Sequence, residues 1–137
     1  MNAHPTAVLS QQAHAGEFAY IGAFSVVQPG ADIGEGTKVG SHVSIAEKVI
    51  LGEGCIIGPG CVLESGTVLE KDVILGARVV VSGRVVIGAG SIVGPGAVVL
   101  GPAEGAPMQL AEGTTIEPNV VITEEIAADF DILKKVE

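Results

Sequence analysis

The sequence predicts an all-β protein, a parallel β-helix built from six-residue repeats, and three observations predict it. Stepping by six from Ile21 meets an aliphatic residue every time through Val99. Stepping by six from Ser25 meets a small or β-branched residue every time through Ala97. Glycine is abundant, with 20 residues, and the residue after each aliphatic is most often glycine. Together these features define a hexapeptide pattern of aliphatic, Gly, two variable residues, small and variable.

A period of six matches neither an α-helix nor the two-residue alternation of a half-buried strand. It fits a short strand followed by a bend. Three such sides close a triangular coil of eighteen residues, and successive coils stack as parallel strands about 4.8 Å apart. Aromatic residues make up only 3% of the chain, so we expect a narrow prism filled by Val, Ile, Leu and Ala. Each coil is then stabilised mainly by its neighbours.

The repeat defines one β-helix domain over residues 1–122. It extends upstream to Leu9 and loses its register after Val99. The segment Leu100–Gln109 contains two prolines, so we expect a projecting loop near residues 100–109. The pattern then resumes at Leu110.

Residues 123–137 predict a C-terminal tail or capping helix. Thr123 is a favourable N-cap, and the two glutamates that follow it favour a helix start. Ile126, Phe130 and Leu133 would then lie on one helical face, with two lysines near the end.

Composition limits the classes of partner. The formal net charge is -9, which argues against nucleic-acid binding through a general basic surface. The sequence has no apolar run long enough for a membrane span, and its N-terminus does not read as a signal peptide. Two cysteines are too few for a disulfide scaffold, so we expect a cytoplasmic protein.

The residue before each aliphatic should point outward, and from Ile50 onward these residues are apolar. Folded into coils of eighteen, they form three stripes: Ile50/Val68/Val86, Ile56/Ile74/Ile92 and Val62/Val80/Val98. One interpretation is that β-branched residues simply favour strands. The other is that a homotrimer buries two stripes of each chain, since long apolar stripes mark interfaces. The isoleucine stripe, Ile56/Ile74/Ile92, is then the first candidate interface.

The turn position three residues after each aliphatic favours a left-handed backbone and therefore glycine. Five positions depart from this rule: Phe24, His42, Lys48, Arg78 and Arg84. His42 and Arg78 should share one corner of the prism, about 10 Å apart, and Lys48 and Arg84 the next corner. These basic residues predict either anion recognition, such as the phosphates of coenzyme A, or ordinary solvent-exposed charge that aids solubility.

The pattern resembles the hexapeptide-repeat acyltransferase superfamily. The opening His4-Pro5-Thr6-Ala7-Val8-Leu9 is similar to the first turn of many such enzymes. The stretch Ile33–Val81 is most similar to nucleotide-amino-sugar N-acetyltransferases, including the step Glu70-Lys71-Asp72-Val73. The resemblance implies that the β-helix is left-handed, against the usual right-handed rule for parallel crossovers.

The resemblance also implies a homotrimer, acetyl-CoA as donor, a sugar acceptor and an active site in the groove between two protomers. A histidine commonly serves there as general base. We assign that role to His42, and donor binding to Lys48, Arg78 and Arg84. His4 is interpreted as part of the N-terminal cap and His14 as an outward-facing residue.

Two departures from the family keep other functions open. Only Ser82-Gly83-Arg84 stands where sugar acetyltransferases usually carry a longer polar loop, and no histidine follows His42. The closely spaced histidine pair of the related zinc enzymes is also lacking, so we expect no metal. The expected activity is CoA-dependent acyl transfer to an amino or hydroxyl group of a sugar or nucleotide-sugar. A non-catalytic trimeric scaffold is the alternative, and a fragment or companion of a longer enzyme is a third possibility.

Overall fold

A computed structural model describes residues 1–126, and they form the predicted left-handed parallel β-helix. Each six-residue repeat supplies one strand of two or three residues. The strands are β1 (Asn2–Ala3), β2 (Val8–Leu9), β3 (His14–Ala15), β4 (Tyr20–Ile21), β5 (Val26–Val27), β6 (Asp32–Ile33), β7 (Lys38–Val39), β8 (Ser44–Ile45), β9 (Ile50–Leu51), β10 (Ile56–Ile57), β11 (Val62–Leu63), β12 (Thr67–Leu69), β13 (Ile74–Leu75), β14 (Val80–Ser82), β15 (Val85–Ile87), β16 (Ile92–Val93), β17 (Val98–Leu100), β18 (Met108–Leu110), β19 (Thr115–Ile116) and β20 (Val121–Ile122).

The strands of the described residues form three parallel sheets, which the chain visits in turn. Sheet A has the order β1-β4-β7-β10-β13-β16-β19, sheet B has the order β2-β5-β8-β11-β14-β17-β20, and sheet C has the order β3-β6-β9-β12-β15-β18. One strand from each sheet makes one coil. Val62 pairs with Val80, a step of 18 residues, so the predicted coil length is confirmed.

The interior consists of the two residue classes that the repeat singles out. Every aliphatic position from Ile21 to Val99 and every small position from Ser25 to Ala97 is at most 2% exposed. The later aliphatic positions Leu110, Ile116 and Ile122 are also buried. Burial of apolar surface between stacked coils is therefore the main stabilising contribution.

The glycine after an aliphatic residue is required by close approach between coils. At Gly58, a Cβ atom would lie 2.6 Å from the carbonyl carbon of Gly76 in the next coil. No side chain fits at that distance, because the nearest atoms belong to the backbone of Gly76 and Ala77, which the hydrogen bonds between strands hold in place.

One coil is longer than the others and carries the irregular loop. Val85 pairs with Met108, a step of 23 residues instead of 18, so the loop adds five residues. Because β17 ends at Leu100 and β18 begins at Met108, the loop spans residues 101–107, a narrower segment than the expected 100–109. The Arg84 N–H donates to the Pro102 carbonyl at 2.8 Å, and the Met108 N–H donates to the Arg84 carbonyl at 2.9 Å.

The chain leaves the last coil through a helical segment at residues 124–126. The rest of the predicted capping helix lies outside the described residues. Beside this exit is an apolar cavity of about 190 Å³ at the C-terminal end of the core, whose lining includes Leu110, Ile116, Ile122 and Ile126. Within residues 1–126, no helix has the length and apolar character needed to cross a membrane.

Candidate functional site

The turns between strands stack into three corners of the prism. The first corner joins sheets A and B and contains Thr6, Phe24, His42, Gly60, Arg78, Gly96 and Asn119. The second corner joins sheets B and C and contains Gly30, Lys48, Gly66, Gly83 and Arg84. The third corner joins sheets C and A and contains Phe18, Gly36, Gly54, Asp72, Gly90 and Gly113.

Four of the five unusual turn residues have the expected left-handed backbone. Phe24, His42, Lys48 and Arg78 have φ between 57° and 62°. Such a backbone costs a non-glycine residue about 1 kcal/mol or more. Each of these turns therefore carries strain that glycine would not.

The prediction that Arg84 occupies the left-handed position of its turn is wrong. The positive φ of 81° at this corner belongs to Gly83. The reason is that β14 extends through Ser82 and β15 begins at Val85. Only two residues remain for the turn, and the glycine takes the left-handed position.

Lys48 and Arg84 nevertheless lie at one corner, two coils apart, as predicted. Each side chain lies over the glycine of the coil before it. A Cβ atom on Gly30 would be 3.2 Å from Lys48 Cγ, and one on Gly66 would be 3.4 Å from Arg84 Cγ. Glycines at these turns thus make room for the basic side chains.

A groove of about 360 Å³ follows this corner. Its lining residues are Lys48, Ser65, Gly66, Val68, Arg84, Val86 and Pro107. Val68 and Val86 are outward-facing residues of sheet C, and Pro107 comes from the irregular loop. Neither Lys48 nor Arg84 pairs with a carboxylate among residues 1–126. The groove therefore combines two available positive charges with an apolar wall.

His42 and Arg78 lie together at the first corner, again two coils apart. The His42 ring stacks against Phe24, with ring centroids 5.2 Å apart and an angle of 33° between the planes. Gly60 lies between the two coils, where a Cβ atom would be 3.1 Å from Arg78 Cγ. The structure thus brings the predicted residues together in two pairs, one at each corner, and the width of sheet B separates the pairs within one chain.

A histidine–carboxylate pair that sequence reasoning missed lies on sheet C. His14 Nδ1 is 3.1 Å from Asp32 Oδ1. The two residues are direct partners in the β3–β6 register. The signal was present in the sequence, because a step of eighteen from His14 reaches Asp32.

The two cysteines are core residues. Both are fully buried, and the Cys55 thiol donates to the Glu70 carbonyl while the Cys61 thiol donates to the Gly76 carbonyl. Burial raises the pKa of both thiols. Their structural role in packing agrees with these contacts.

The isoleucine stripe lies on sheet A and is open to solvent. Ile56, Ile74 and Ile92 are 47%, 38% and 48% exposed. The stripe Val62/Val80/Val98 on sheet B is half-buried and therefore less exposed than the isoleucine stripe. Val68 and Val86 on sheet C are half-buried as well. Among the described residues, no cluster of three or more histidine, cysteine or acidic side chains could hold a metal ion.

Comparison with known families identifies the repeat. The family model described as bacterial transferase hexapeptide (six repeats) matches residues 16–47, 30–65 and 66–101. Among curated proteins, none matches the sequence at a significant level.

Solved structures with this fold include sugar N-acyltransferases. PerB from Caulobacter crescentus, solved with CoA and GDP-perosamine, is 26% identical, with a TM-score of 0.71. The match covers 90% of this chain and 54% of that one, so the chain spans about half the length of PerB.

Two further structures share the fold at lower identity. WeeI from Acinetobacter baumannii is 22% identical, with a TM-score of 0.71, over 81% of this chain and 51% of that one. A variant of AntD, an N-acyltransferase from Bacillus cereus solved with dTDP-4-amino-4,6-dideoxyglucose and CoA, is 14% identical, with a TM-score of 0.76. That match covers 98% of this chain and 91% of AntD.

Proposed function

Because the chain belongs to the bacterial transferase hexapeptide family, we propose that it is a CoA-dependent acyltransferase. The acyl group is acetyl, donated by acetyl-CoA, and the acceptor is an amino or hydroxyl group of a sugar or nucleotide-sugar. The proposal includes assembly as a homotrimer in the cytoplasm.

The observation that carries this proposal is the groove at the second corner. Lys48 and Arg84 place two positive charges at its edge, and Val68, Val86 and Pro107 supply an apolar wall. Coenzyme A has the complementary chemistry, since its phosphates suit Lys and Arg while its pantetheine arm suits an apolar surface. Arg78 at the first corner stays a prediction for donor binding.

The proposed acceptor rests on PerB. That enzyme is an N-acetyltransferase whose structure contains CoA and GDP-perosamine, and a nucleotide-linked amino sugar is accordingly the first acceptor class to test. In the reaction, the acceptor nitrogen attacks the thioester carbonyl, a base takes the nitrogen's proton, and CoA leaves as the thiol. His42 is the base predicted from the sequence.

The isoleucine stripe supports the homotrimer. Ile56, Ile74 and Ile92 form a continuous exposed column in the sheet A register. A monomer that leaves this column in water exposes apolar surface in one contiguous patch. Closed cyclic symmetry with this column at the interface would bury it.

A non-catalytic trimeric scaffold is the second candidate. It is favoured by the same exposed stripe together with the absence of any histidine after His42. On this alternative the stripe serves assembly, and the groove at the second corner binds no donor.

Calorimetric titration with acetyl-CoA and with CoA tests the two candidates, after light scattering has measured the oligomeric state. We expect saturable binding that Lys48→Ala or Arg84→Ala weakens about tenfold each, a loss of ~1.4 kcal/mol. Lys71→Ala is the matched control, because Lys71 lies near the third corner and outside the groove. If no binding is detected up to about millimolar ligand, any binding free energy is weaker than about −4 kcal/mol. That result would favour the scaffold.

The acceptor is tested by CoA release in the presence of GDP-perosamine or dTDP-4-amino-4,6-dideoxyglucose. His42→Ala tests the predicted base in the same assay. Release that requires the amino sugar supports the proposed reaction, whereas acetyl-CoA binding without transfer to either compound argues against these two acceptors.

A further inference from the structure

A histidine oriented by a carboxylate lies on the outer surface of sheet C. His14 Nδ1 and Asp32 Oδ1 are 3.1 Å apart, which is within hydrogen-bonding distance. Both side chains are exposed, at 74% and 59%. Solvent and ligands can therefore reach the imidazole.

The carboxylate determines which ring nitrogen is available. A carboxylate only accepts hydrogen bonds, so Nδ1 must carry the proton in the neutral ring. Nε2 is then the unprotonated nitrogen, and it makes no hydrogen bond within residues 1–126. A base needs such a free lone pair held in a fixed direction.

The pair and the basic groove share one face of the molecule. Asp32 pairs with Ile50, Ile50 with Val68, and Val68 with Val86. These outward residues form one straight column on sheet C, with His14 at its N-terminal end. Three strand spacings, about 14 Å, separate the backbones of His14 and Val68. A pantetheine arm that runs along this column in the N-terminal direction, from phosphates at Lys48 and Arg84, would approach His14.

His42 has neither a carboxylate partner among the described residues nor a position on the same face as the groove. Its ring stacks on Phe24, it has no carboxylate partner among residues 1–126, and it lies at the first corner, across sheet B from the groove. Geometry therefore favours His14 over the histidine that the sequence pattern suggested.

We propose that the His14–Asp32 pair is the general base of the acyl transfer, with His14 as the catalytic residue and Asp32 as its positioning residue. This inference rests on the proposed function. His14 Nε2 takes the proton from the acceptor nitrogen as that nitrogen forms a bond to the thioester carbonyl carbon. The carbon–sulfur bond then breaks, and the imidazolium returns the proton to the sulfur, so that CoA leaves as a thiol and the base is regenerated.

The first test is steady-state CoA release by the full chain, with acetyl-CoA and GDP-perosamine or dTDP-4-amino-4,6-dideoxyglucose. We expect His14→Gln to lower kcat about 100-fold or more, the usual contribution of a general base. KM for acetyl-CoA should change less than about twofold, because His14 would lie at the thioester end of the donor, away from the phosphates at Lys48 and Arg84. The matched control is His4→Gln, since His4 is also exposed and its ring nitrogen is hydrogen-bonded to Thr6; we expect wild-type kcat.

The second test separates positioning by Asp32 from a structural role. Asp32→Asn should lower kcat while leaving thermal stability and KM for acetyl-CoA unchanged, because its amide can donate to Nδ1 and favour the wrong tautomer. Asp32→Glu, which restores a carboxylate, should recover part of kcat. The ¹⁵N spectrum of labelled His14 should show the Nδ1–H tautomer in the wild-type protein and a shift towards Nε2–H in Asp32→Asn.

The outcomes distinguish this inference from the proposed function. If the wild-type protein is active and His14→Gln has wild-type kcat, or if the loss is confined to His42→Gln, the inference alone is overturned. A wild-type ¹⁵N spectrum showing the Nε2–H tautomer overturns it independently of activity. If the wild-type protein neither binds acetyl-CoA nor releases CoA, the proposed function fails and the base role fails with it.

Discussion

Thr37 and Thr67 occupy equivalent small positions of the repeat and are both fully buried, yet only the Thr37 hydroxyl is hydrogen-bonded. Thr37 Oγ1 donates to the Gly52 carbonyl at 2.7 Å and accepts from the Cys55 N–H at 3.1 Å. Thr67 Oγ1 has no partner within the described part of the chain. The corresponding coil is the one in which the irregular turn at Gly83 and Arg84 changes the backbone, and the Val85 N–H donates to the Gly66 carbonyl instead.

This difference predicts opposite effects of the same substitution. Thr67→Val removes a desolvated hydroxyl without breaking a hydrogen bond, so the free energy of unfolding should rise by about 1 kcal/mol. Thr37→Val leaves a buried N–H and a carbonyl without their partner and should lower that free energy by about 1–3 kcal/mol. Urea denaturation of both variants measures the difference. Equal destabilisation by the two substitutions would contradict the assignment of Thr67 as unpaired.

Two glycines should respond differently to alanine, because different constraints select them. At Gly58 the new Cβ would meet the backbone of Gly76 and Ala77 at 2.6–2.7 Å, so Gly58→Ala should cost about 3 kcal/mol. Gly90 has φ of +73° but no atom within 4 Å of the new Cβ, and Gly90→Ala should cost only about 1 kcal/mol. Denaturation midpoints give the comparison. Similar losses at both sites would mean that the close approach between coils does not exclude a side chain at Gly58.

Ile74→Glu should dissociate the proposed homotrimer. Ile74 lies in the middle of the exposed stripe, between Ile56 and Ile92, and three carboxylates buried at a three-fold interface would be desolvated and mutually repulsive. Light scattering should show the mass of one chain in place of three. Leu100→Glu is the matched control, since Leu100 is 40% exposed and ends β17 at the second corner, outside the three stripes, and it should leave the mass unchanged. A trimeric Ile74→Glu variant would exclude the stripe as the interface.

The buried thiols should be unreactive in the folded protein and should link stability to pH. Burial raises the pKa of Cys55 and Cys61, so the native protein should not react with a thiol reagent at pH 8, whereas the unfolded chain should. A raised native pKa means that stability is fully present below the unfolded-state pKa, about 8.5, and falls as pH rises above it.

Denaturation at pH 8 and at pH 10 measures this linkage. The double variant Cys55→Ala/Cys61→Ala is the control, and it should lose less stability than the wild-type protein between the two pH values. Rapid labelling of the folded protein would show that the thiols are accessible.

Much of this fold is predictable from the repeat, because in a coil of constant length the sequence separation of two residues specifies whether they are neighbours in space. A residue and the one eighteen positions later are strand partners, as Val62 and Val80 are. The same step assigns Lys48 and Arg84 to one corner. It also relates His14 to Asp32, whose side chains both face outward and lie within hydrogen-bonding distance.

The irregular coil is where sequence reasoning failed. Arg84 was expected in a left-handed turn, but β14 and β15 lengthen on either side and Gly83 takes that conformation. The loop of residues 101–107 is hydrogen-bonded to the Arg84 backbone, and its last residue, Pro107, lines the groove.

The period of the repeat therefore predicts the coil length, the interior positions and the three faces, because spacing alone specifies which residues stack. The limits of the loop, the backbone of the turn at Gly83 and the groove lined by Lys48 and Arg84 depend on how the folded chain packs. The same holds for the orientation of the His14 ring towards Asp32. These features depend on where an insertion folds back and which rotamer a side chain adopts, and neither is encoded in the period of the repeat.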